Sequence, residues 1–495
     1  MSDHKQSRLI AGITLALLLV AVPTAFGSGV QQTTAPAARA EVMWHYPMIN
    51  PDSLFARDDV AAAANELLEA RANSIIVHRP IELAEYNQRM RTMAAAGERM
   101  DLVYTSWWTF GYFDMAPAGA FVALNDLLDQ YAPTILGRYP EYIWQANTID
   151  GRTYGVPHWE NAAGPSGWVI QTELLEKYNF SIDSVQHYSD IEPLLARIKQ
   201  GEPDLHPVVI SRNGFWGEAH KTIGLEAIEG LGVGGIGLRR TDANPRPINL
   251  FDTPEFRAHT QTVRRWWNAG YFNPDAPLNP NAAELLNAGK FGTFFNRNLV
   301  SPDGRHAGIP VTYIRLGEGV LNSNAVLAHQ TAVSRTSPHP DRAVQVLEVV
   351  HRDADVLQLL TYGIRDRHFE LNELNQVRRI PDAGYGLPFD WMFGNVMLHG
   401  FRGAGSDPES QRYFDEALRT SKPSLALGFQ FDRDPVSAQI AQVNAIMDEF
   451  NPQLTTGAED PDRVLPIFLR RLDEAGFNRI LDEVTRQYTA WLASR

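Results

Sequence analysis

Two adjacent tryptophans, Trp107 and Trp108, lie in the aromatic stretch DLVYTSWWTFGYF at residues 101–113. They follow an apolar segment that predicts a strand. Indole rings offer flat apolar surfaces and an N–H donor, and small-molecule pockets are commonly lined by such rings with a few polar groups. Because adjacent side chains of an extended segment point to opposite sides, we expect one ring to face a ligand and the other to pack beneath the loop. Core packing is the alternative for either ring alone.

Other candidate ligand-binding side chains lie next to predicted strand ends or in predicted loops. A polar ligand needs hydrogen-bond donors and acceptors from such residues. The alternative for each polar candidate is a surface ion pair or a helix cap, and for each tryptophan it is core packing. The candidates are Trp44, Thr105, Ser106, Trp159, Glu160, Trp216, Arg297, Asp390 and Trp391.

Apolar patterns of strand and helix type alternate in the first part of the chain, with strands predicted at residues 41–48, 74–80 and 101–105. Such alternation predicts βαβ units and a mainly parallel sheet, with ligands at the carboxyl ends of its strands. Trp44 and the pair Trp107–Trp108 are both expected at such ends. From about residue 340 the pattern is mostly helical.

Composition excludes several classes of protein. The chain has 495 residues, of which 44% are hydrophobic and 21% charged, so it is expected to fold, and its length suggests more than one domain. A net charge of −14 argues against a nucleic-acid partner. There is no cysteine, hence no disulfide and no thiol nucleophile. The H-E-x-x-H zinc helix, the G-x-S-x-G nucleophile elbow and the P-loop are missing from the sequence. The segment GLGVGGIG matches a dinucleotide-binding pattern but is expected to be a surface loop.

The N-terminus predicts export. His4, Lys5 and Arg8 precede an apolar run at residues 9–22, followed by small residues, which is the layout of a secretory signal peptide ending near Gly27. An uncleaved membrane anchor is the alternative, but the run is short for a membrane span. Residues 28–40 are then expected to be a flexible leader. Without a cysteine for a lipid anchor, we predict an exported, periplasmic protein.

Several longer stretches carry a family resemblance. Residues 85–106, 121–135 and 150–157 (DGRTYGVP) resemble the extracellular solute-binding proteins of bacterial ABC importers, family 1. Residues 334–371 and 424–491 resemble its LipO-like branch, whose members end in a characteristic C-terminal domain. Two features depart from that branch: it is usually lipidated, and this chain carries Arg365, Asp366 and Arg367 in GIRDRHFEL.

The resemblance implies an α/β, periplasmic-binding-protein-like fold with two α/β lobes, hinge strands, a ligand cleft and a helix-rich C-terminal part. Mapped onto this chain, it implies a first lobe of residues 41–163 and 293–328. The second lobe would comprise residues 164–292 and 329–495. The chain would cross between lobes near residues 160–167, 290–294 and 325–334.

The function implied is that of a non-enzymatic binding component that takes a sugar or oligosaccharide to an ABC transporter permease. Sugars present weakly apolar C–H faces that pack on indole rings, and hydroxyl groups that need polar partners. The implied protein is a monomer with no cofactor, no metal site, no catalytic residue and no nucleic-acid partner. An exported glycosidase or lyase, with Glu160 and Asp390 as its two carboxylates, is one alternative. A sensor subunit that passes ligand to a receptor is another.

Overall fold

The computed structural model describes residues 38–49, 54, 56–158, 164–297, 299, 301–373, 375–385, 390–396, 398 and 409–494. The predicted signal peptide at residues 1–27 and most of the predicted leader lie outside the described residues. Among the described residues, no helix is long and apolar enough to cross a membrane.

The strands are short, and most belong to two five-stranded sheets. In chain order they are β1 Ala40–Met48, β2 Ser74–Glu82, β3 Leu102–Thr105, β4 Thr148–Ile149, β5 Arg152–Thr153, β6 Gly155–Pro157, β7 Ser166–Gln171, β8 His206–Val208, β9 Leu225–Ala227, β10 Ile236–Arg239, β11 Ile248–Asn249, β12 Phe291–Asn296, β13 Asp303–His306, β14 Ile309–Leu316, β15 Val320–Leu321, β16 Gln330–Val333, β17 Phe369–Leu371, β18 Val377–Arg379 and β19 Lys422–Pro423.

The helices range from single turns to 19 residues. In chain order they are α1 Arg57–Ala72, α2 Leu83–Ala96, α3 Tyr112–Met115, α4 Asn125–Tyr131, α5 Pro133–Arg138, α6 Glu141–Ala146, α7 Thr172–Lys177, α8 Glu192–Gly201, α9 Trp216–Ala219, α10 Pro254–Asn268, α11 Ala283–Asn287, α12 Ser323–Val326, α13 Pro340–Arg352, α14 Ala354–Tyr362, α15 Ser410–Thr420, α16 Ser437–Thr455, α17 Pro461–Glu474 and α18 Phe477–Ala493.

The first lobe is built on a sheet of order β2-β1-β3-β16-β6. β1 pairs in parallel with β2 and β3, as the βαβ pattern predicts, whereas β16 runs antiparallel to β3 and β6. Helix α2, which follows β2, ends at Gly97 with φ of 69°, a left-handed conformation that glycine adopts without strain. Helices α1, α13 and α14 share one hydrophobic core with this sheet.

The second lobe is built on a sheet of order β13-β14-β7-β12-β8. β7 is antiparallel to both β12 and β14, and only β12 and β8 pair in parallel. β13 and β14 form a tight hairpin in which Ala307 and Gly308 both have positive φ, the geometry favoured in two-residue hairpin loops. The mainly parallel pairing predicted for the first part of the chain therefore does not extend to this lobe.

A helical layer completes the second lobe. Helices α16, α17 and α18 pack on the small antiparallel sheet β9–β11 and on the N-terminal part of α10 in a separate hydrophobic core. The segment GLGVGGIG forms the turn between β9 and the start of β10, so it precedes a strand and not a helix.

The elements that the structure describes change lobe at three places along the chain: between β6 and β7, between β14 and β16, and between α15 and α16. The second and third passages run side by side, because β15 pairs in parallel with β19. Lys422 and Glu318 join the same two passages through an ion pair of 2.7 Å.

Two predicted lobe boundaries are wrong. Residues 293–316 belong to the second lobe, because β12 and β14 pair with β7, so the chain does not cross near residues 290–294. Residues 330–418 were assigned to the second lobe, but their described part packs in the first: β16 lies in its sheet, and α13 and α14 lie in its core. Only the chain beyond about residue 425 returns to the second lobe.

Candidate functional site

A cavity of about 580 Å³ lies between the lobes. The first lobe contributes the loop after β3, and the second lobe contributes the start of β7, the end of β12 and the α9–β9 region. The segment from β14 to β16 closes it. Its lining residues are Trp107, Trp108, Gly164, Ser166, Gly217, Glu218, Lys221, Glu229, Arg297, Glu318, Val320, Asn322, Asn324, Ala325, Ala328 and His329.

Strand register brings these residues together. In the first sheet, Gln330 of β16 pairs with both Thr105 of β3 and Pro157 of β6, so residues 106, 158 and 329 lie at one edge. In the second sheet, Asn296 of β12 pairs with Gly167 of β7. Arg297 and Ser166 therefore lie at the edge that faces the first lobe.

The loop carrying the two tryptophans is shaped by hydroxyl groups. Thr105 donates a hydrogen bond of 2.6 Å to the carbonyl of Phe110, a residue with φ of 42°. The Ser106 hydroxyl accepts hydrogen bonds from the amides of Trp108 (3.2 Å) and Thr109 (2.9 Å). Both hydroxyl residues are buried. They hold the loop and do not line the cavity, so their predicted role in contacting ligand is wrong.

Both tryptophan rings line the cavity. Trp107 is 53% exposed and Trp108 is 37% exposed, among the most exposed large apolar side chains in the described part of the chain. The Trp108 indole donates to the carbonyl of Ala328 at 3.0 Å, which holds the ring in place. The expectation that one ring packs beneath the loop is wrong, because the chain turns after β3 and does not continue extended.

An aromatic wall extends from Trp108 away from the cavity. The ring of Trp391 stacks on the cavity-lining His329, with centroids 4.0 Å apart and planes at 24°. Trp108 meets Trp391 edge-on at 6.4 Å. His329 is also hydrogen-bonded to the Tyr104 hydroxyl through Nδ1. Trp391 therefore supports the wall from behind and is not among the lining residues.

Glu218 and Lys221 form a polar patch on the second-lobe side. The Lys221 ammonium donates to both carboxylate oxygens of Glu218, at 3.0 and 3.1 Å. The hydroxyl of Ser166 donates to the same carboxylate at 2.8 Å. Three hydrogen bonds from two donor groups orient this carboxylate, and Lys221 balances its charge.

Glu229 links the second lobe to the segment before β16. Its two oxygens accept from the side-chain amides of Asn322 and Asn324, each at 3.1 Å. Burial raises the pKa of Glu229 above its ordinary value, although Lys221 and Arg297 act in the opposite direction. Each carboxylate oxygen keeps a further lone pair with which it can accept a ligand hydroxyl.

Arg297 lies directly after β12 and lines the cavity. Among the described residues its guanidinium has no ion-pair partner within salt-bridge distance, whereas Lys221 and Glu318 are both paired. It therefore offers donors to a ligand without first breaking an ion pair.

Two predicted tryptophan sites are wrong. Trp44 is fully buried within β1, not at its end, and its ring meets Phe393 edge-on at 4.7 Å. Trp216 is 6% exposed and packs against Phe256 and His259, although the next residues along α9 line the cavity. Trp159, Glu160 and the side chain of Asp390 lie outside the described residues.

Most of the polar lining is not among the residues predicted from the sequence. Glu218 and Lys221 lie close to the predicted site Trp216, in the polar GEAHK stretch, which is a local signal for them. Glu229, Asn322 and Asn324 carry no such signal, because their contact depends on how the two lobes meet.

Comparisons with known proteins agree with this architecture. Residues 425–493 match the model of DUF3502, a domain of unknown function. The chain is similar to a carbohydrate ABC transporter substrate-binding protein of Streptococcus pneumoniae serotype 4, with 24% identity over 464 residues, covering 90% of this chain and 89% of the relative.

Solved structures share the fold over the same extent. The N-glycan transport solute-binding protein (NgtS) of Streptococcus pneumoniae aligns with a TM-score of 0.77 at 22% identity, covering 92% of this chain and 99% of the other. NgtS has also been solved in complex with Man1GlcNAc and with Man5GlcNAc. An extracellular solute-binding protein of Bifidobacterium longum subsp. infantis aligns with a TM-score of 0.58 at 13% identity, covering 92% and 99% of the two chains.

The fold is thus that of a two-lobe solute-binding protein, with mixed α/β lobes, connecting strands and a helix-rich C-terminal part, as predicted. Its C-terminal helices coincide with the DUF3502 match.

Proposed function

We propose that this protein is the substrate-binding component of an ABC importer and that it binds a sugar or oligosaccharide in the interlobe cavity. The observation that carries the proposal is the composition of that cavity. Two exposed indole rings lie on the first-lobe side, and oriented carboxylates and cations lie on the second-lobe side. A saccharide has both the apolar C–H faces and the hydroxyl groups that such walls recognise.

The relatives support the same reading. The similar Streptococcus pneumoniae protein is a carbohydrate ABC transporter substrate-binding protein, and NgtS has been crystallised with glycans. We propose that this chain is likewise exported to the periplasm, acts as a monomer and delivers its ligand to a permease without altering it.

Delivery requires a change in the lobe arrangement. A ligand that contacts both lobes binds a closed arrangement more tightly than an open one, and only this difference shifts the equilibrium. Passages between lobes that lie side by side, such as β15 and β19, suit a hinge. The permease would then recognise the closed arrangement.

The test is a thermal-shift screen of the purified protein against a glycan panel that includes Man5GlcNAc. At least one saccharide should raise the midpoint of thermal unfolding, with a shift that grows with ligand concentration. A panel in which no saccharide raises the midpoint would contradict the proposal.

Recovered ligand distinguishes binding from hydrolysis. After prolonged incubation the bound glycan should be recovered intact by mass spectrometry. New reducing ends would favour the exported glycosidase or lyase, which needs two carboxylates at the scissile bond.

A further inference from the structure

We propose that His158, a buried residue that does not line the cavity, is the positioning residue of the aromatic wall formed by Trp108, His329 and Trp391. That His158 positions the rings of Trp391 and His329 is a structural claim. That the wall binds a saccharide rests on the proposed function.

His158 holds both members of the stacked pair. Its backbone N–H donates to the carbonyl of His329 at 2.9 Å. Its ring Nδ1 donates to the carbonyl of Trp391 at 2.8 Å. One residue therefore fixes the spacing of the His329–Trp391 stack, whose centroids lie 4.0 Å apart.

The remaining ring nitrogen determines the tautomer. Nε2 lies 2.9 Å from the Thr331 hydroxyl and accepts from it, which leaves the single ring proton on Nδ1, facing Trp391. Burial lowers the pKa of His158 to about 3, so the ring stays neutral near neutral pH. Each ring nitrogen of His158 therefore makes one hydrogen bond, Nδ1 to Trp391 and Nε2 to Thr331.

Trp391 depends on such an anchor because of its place in the chain. It belongs to the short turn Asp390–Met392, which comes from a part of the sequence far from the first sheet. Phe393 secures the same segment in the core against Trp44 and Tyr46. The bond to His158 orients the peptide of Trp391 itself, so that its ring meets His329 and the edge of Trp108.

A pair of substitutions separates positioning from packing. The amide nitrogen of asparagine is placed nearly where Nδ1 of histidine lies, whereas the amide of glutamine reaches the position of Nε2. His158→Asn should keep the donor to Trp391, and His158→Gln should lose it while keeping a partner for Thr331. The control is His259→Gln in the second lobe, since His259 is equally buried and touches no residue of the wall.

The first readout needs no ligand. In protein labelled with 5-fluorotryptophan, the ¹⁹F resonance of Trp391, assigned with Trp391→Phe, should move in His158→Gln and stay in place in His158→Asn and His259→Gln. A Trp391 resonance that is unchanged in His158→Gln would overturn the positioning role.

The second readout is a double-mutant cycle on glycan affinity, with Man5GlcNAc or the best ligand of the panel as the probe. His158→Gln should raise the dissociation constant about tenfold in the parent and less than about twofold in the Trp391→Phe background, because coupled residues are not additive. Equal losses in both backgrounds would overturn action through Trp391. If no glycan binds the parent, the proposed function fails, and the ¹⁹F result still decides the structural claim.

Discussion

The residues of the cavity divide its chemistry between the two lobes. Trp107 and Trp108 supply apolar faces from one side, and Glu229 and Arg297 supply a carboxylate and a cation from the other. Neutral asparagine amides hold the Glu229 carboxylate without pairing its charge. The arrangement suits recognition of hydroxyl groups.

Removing the indole rings should weaken binding while leaving the fold intact. Trp107→Ala removes a largely exposed ring and little packing, whereas Trp108→Ala also removes ring contacts with His329 and Trp391. Each should cost about 2 kcal/mol of binding free energy in isothermal titration with a panel glycan. The control Trp216→Phe changes a core ring and should lower the unfolding midpoint without a comparable change in affinity. Unchanged affinity in the Trp107→Ala, Trp108→Ala double variant would contradict the role of the rings.

Glu229 should make glycan affinity depend on pH. Its ionised carboxylate accepts on both oxygens, one bond each from Asn322 and Asn324, and protonation would turn one of these oxygens into a hydroxyl donor. Burial raises the pKa of Glu229 above its ordinary value. As pH falls, Glu229 takes up a proton at a higher pH than an ordinary carboxyl, so affinity should fall earlier. Glu229→Gln should raise the dissociation constant about tenfold near neutral pH and flatten the fall in affinity on the acid side of neutrality. If the parent and Glu229→Gln show the same pH dependence of affinity, a group other than Glu229 causes it.

At the scale of elements, the described parts of three passages between the lobes meet at Gly319. A Cβ atom at this position would lie 2.6 Å from the Ser421 hydroxyl oxygen and 3.2 Å from the Cα of Gly164. Ser421 belongs to the third passage and Gly164 to the first. The absence of a side chain at residue 319 therefore lets the three passages lie close together.

Gly319→Ala should separate these passages and destabilise the protein by about 1–3 kcal/mol, the usual range for overpacking. The measurement is urea unfolding at equilibrium. Gly137→Ala is the matched control, because a Cβ there meets no atom within 4 Å, and it should cause no loss. A Gly319→Ala protein as stable as the parent would show that the passages tolerate the extra group.

Local patterns predicted much of the first lobe and one wall of the site. β1, β2 and β3 follow from short-range apolar periodicity and lie at the predicted residues. The tryptophan loop was found because it follows a strand directly. The burial of Trp44 could not be read from the same pattern, since it depends on Phe393, which lies far away in the sequence.

The lobe boundaries required information that local patterns do not hold. The Ala307–Gly308 turn lacks the Asn-Gly or Asp-Gly pair that typically marks a two-residue hairpin, yet it returns β14 to the second sheet beside β7. The sequences of helices α13 and α14 indicate that each helix has one apolar face. They do not indicate which of the two sheets that face covers. The contact of Glu229 with Asn322 and Asn324 depends on how the lobes meet, which is a property of the whole molecule.

At the scale of the whole molecule, buried neutral histidines couple folding to pH. Burial lowers the pKa of His158 and His259 to about 3 and of His45, His78 and His220 to about 4. These pKa values lie below the ordinary value of about 6.5 in the unfolded chain. The unfolded state therefore binds protons first as pH falls.

Above about pH 6.5 these histidines should therefore not change the free energy of unfolding. At lower pH they should decrease it. The slope is at most about 1.4 kcal/mol per pH unit for each buried histidine. Urea unfolding at about pH 7 and 5.5 measures the difference in the free energy of unfolding between the two pH values. His259→Gln should make this difference smaller by the contribution of one histidine. Equal stability at the two pH values would show that these histidines are not kept neutral by the fold.

A crystal structure of the protein with a saccharide selected from the panel tests the central claim most directly. We expect the sugar between the lobes, with a ring face against Trp107 or Trp108 and its hydroxyls bonded to Glu229 and Arg297, and with every glycosidic bond intact. A saccharide bound away from this cavity, or one that leaves both indole rings in solvent, would contradict the account.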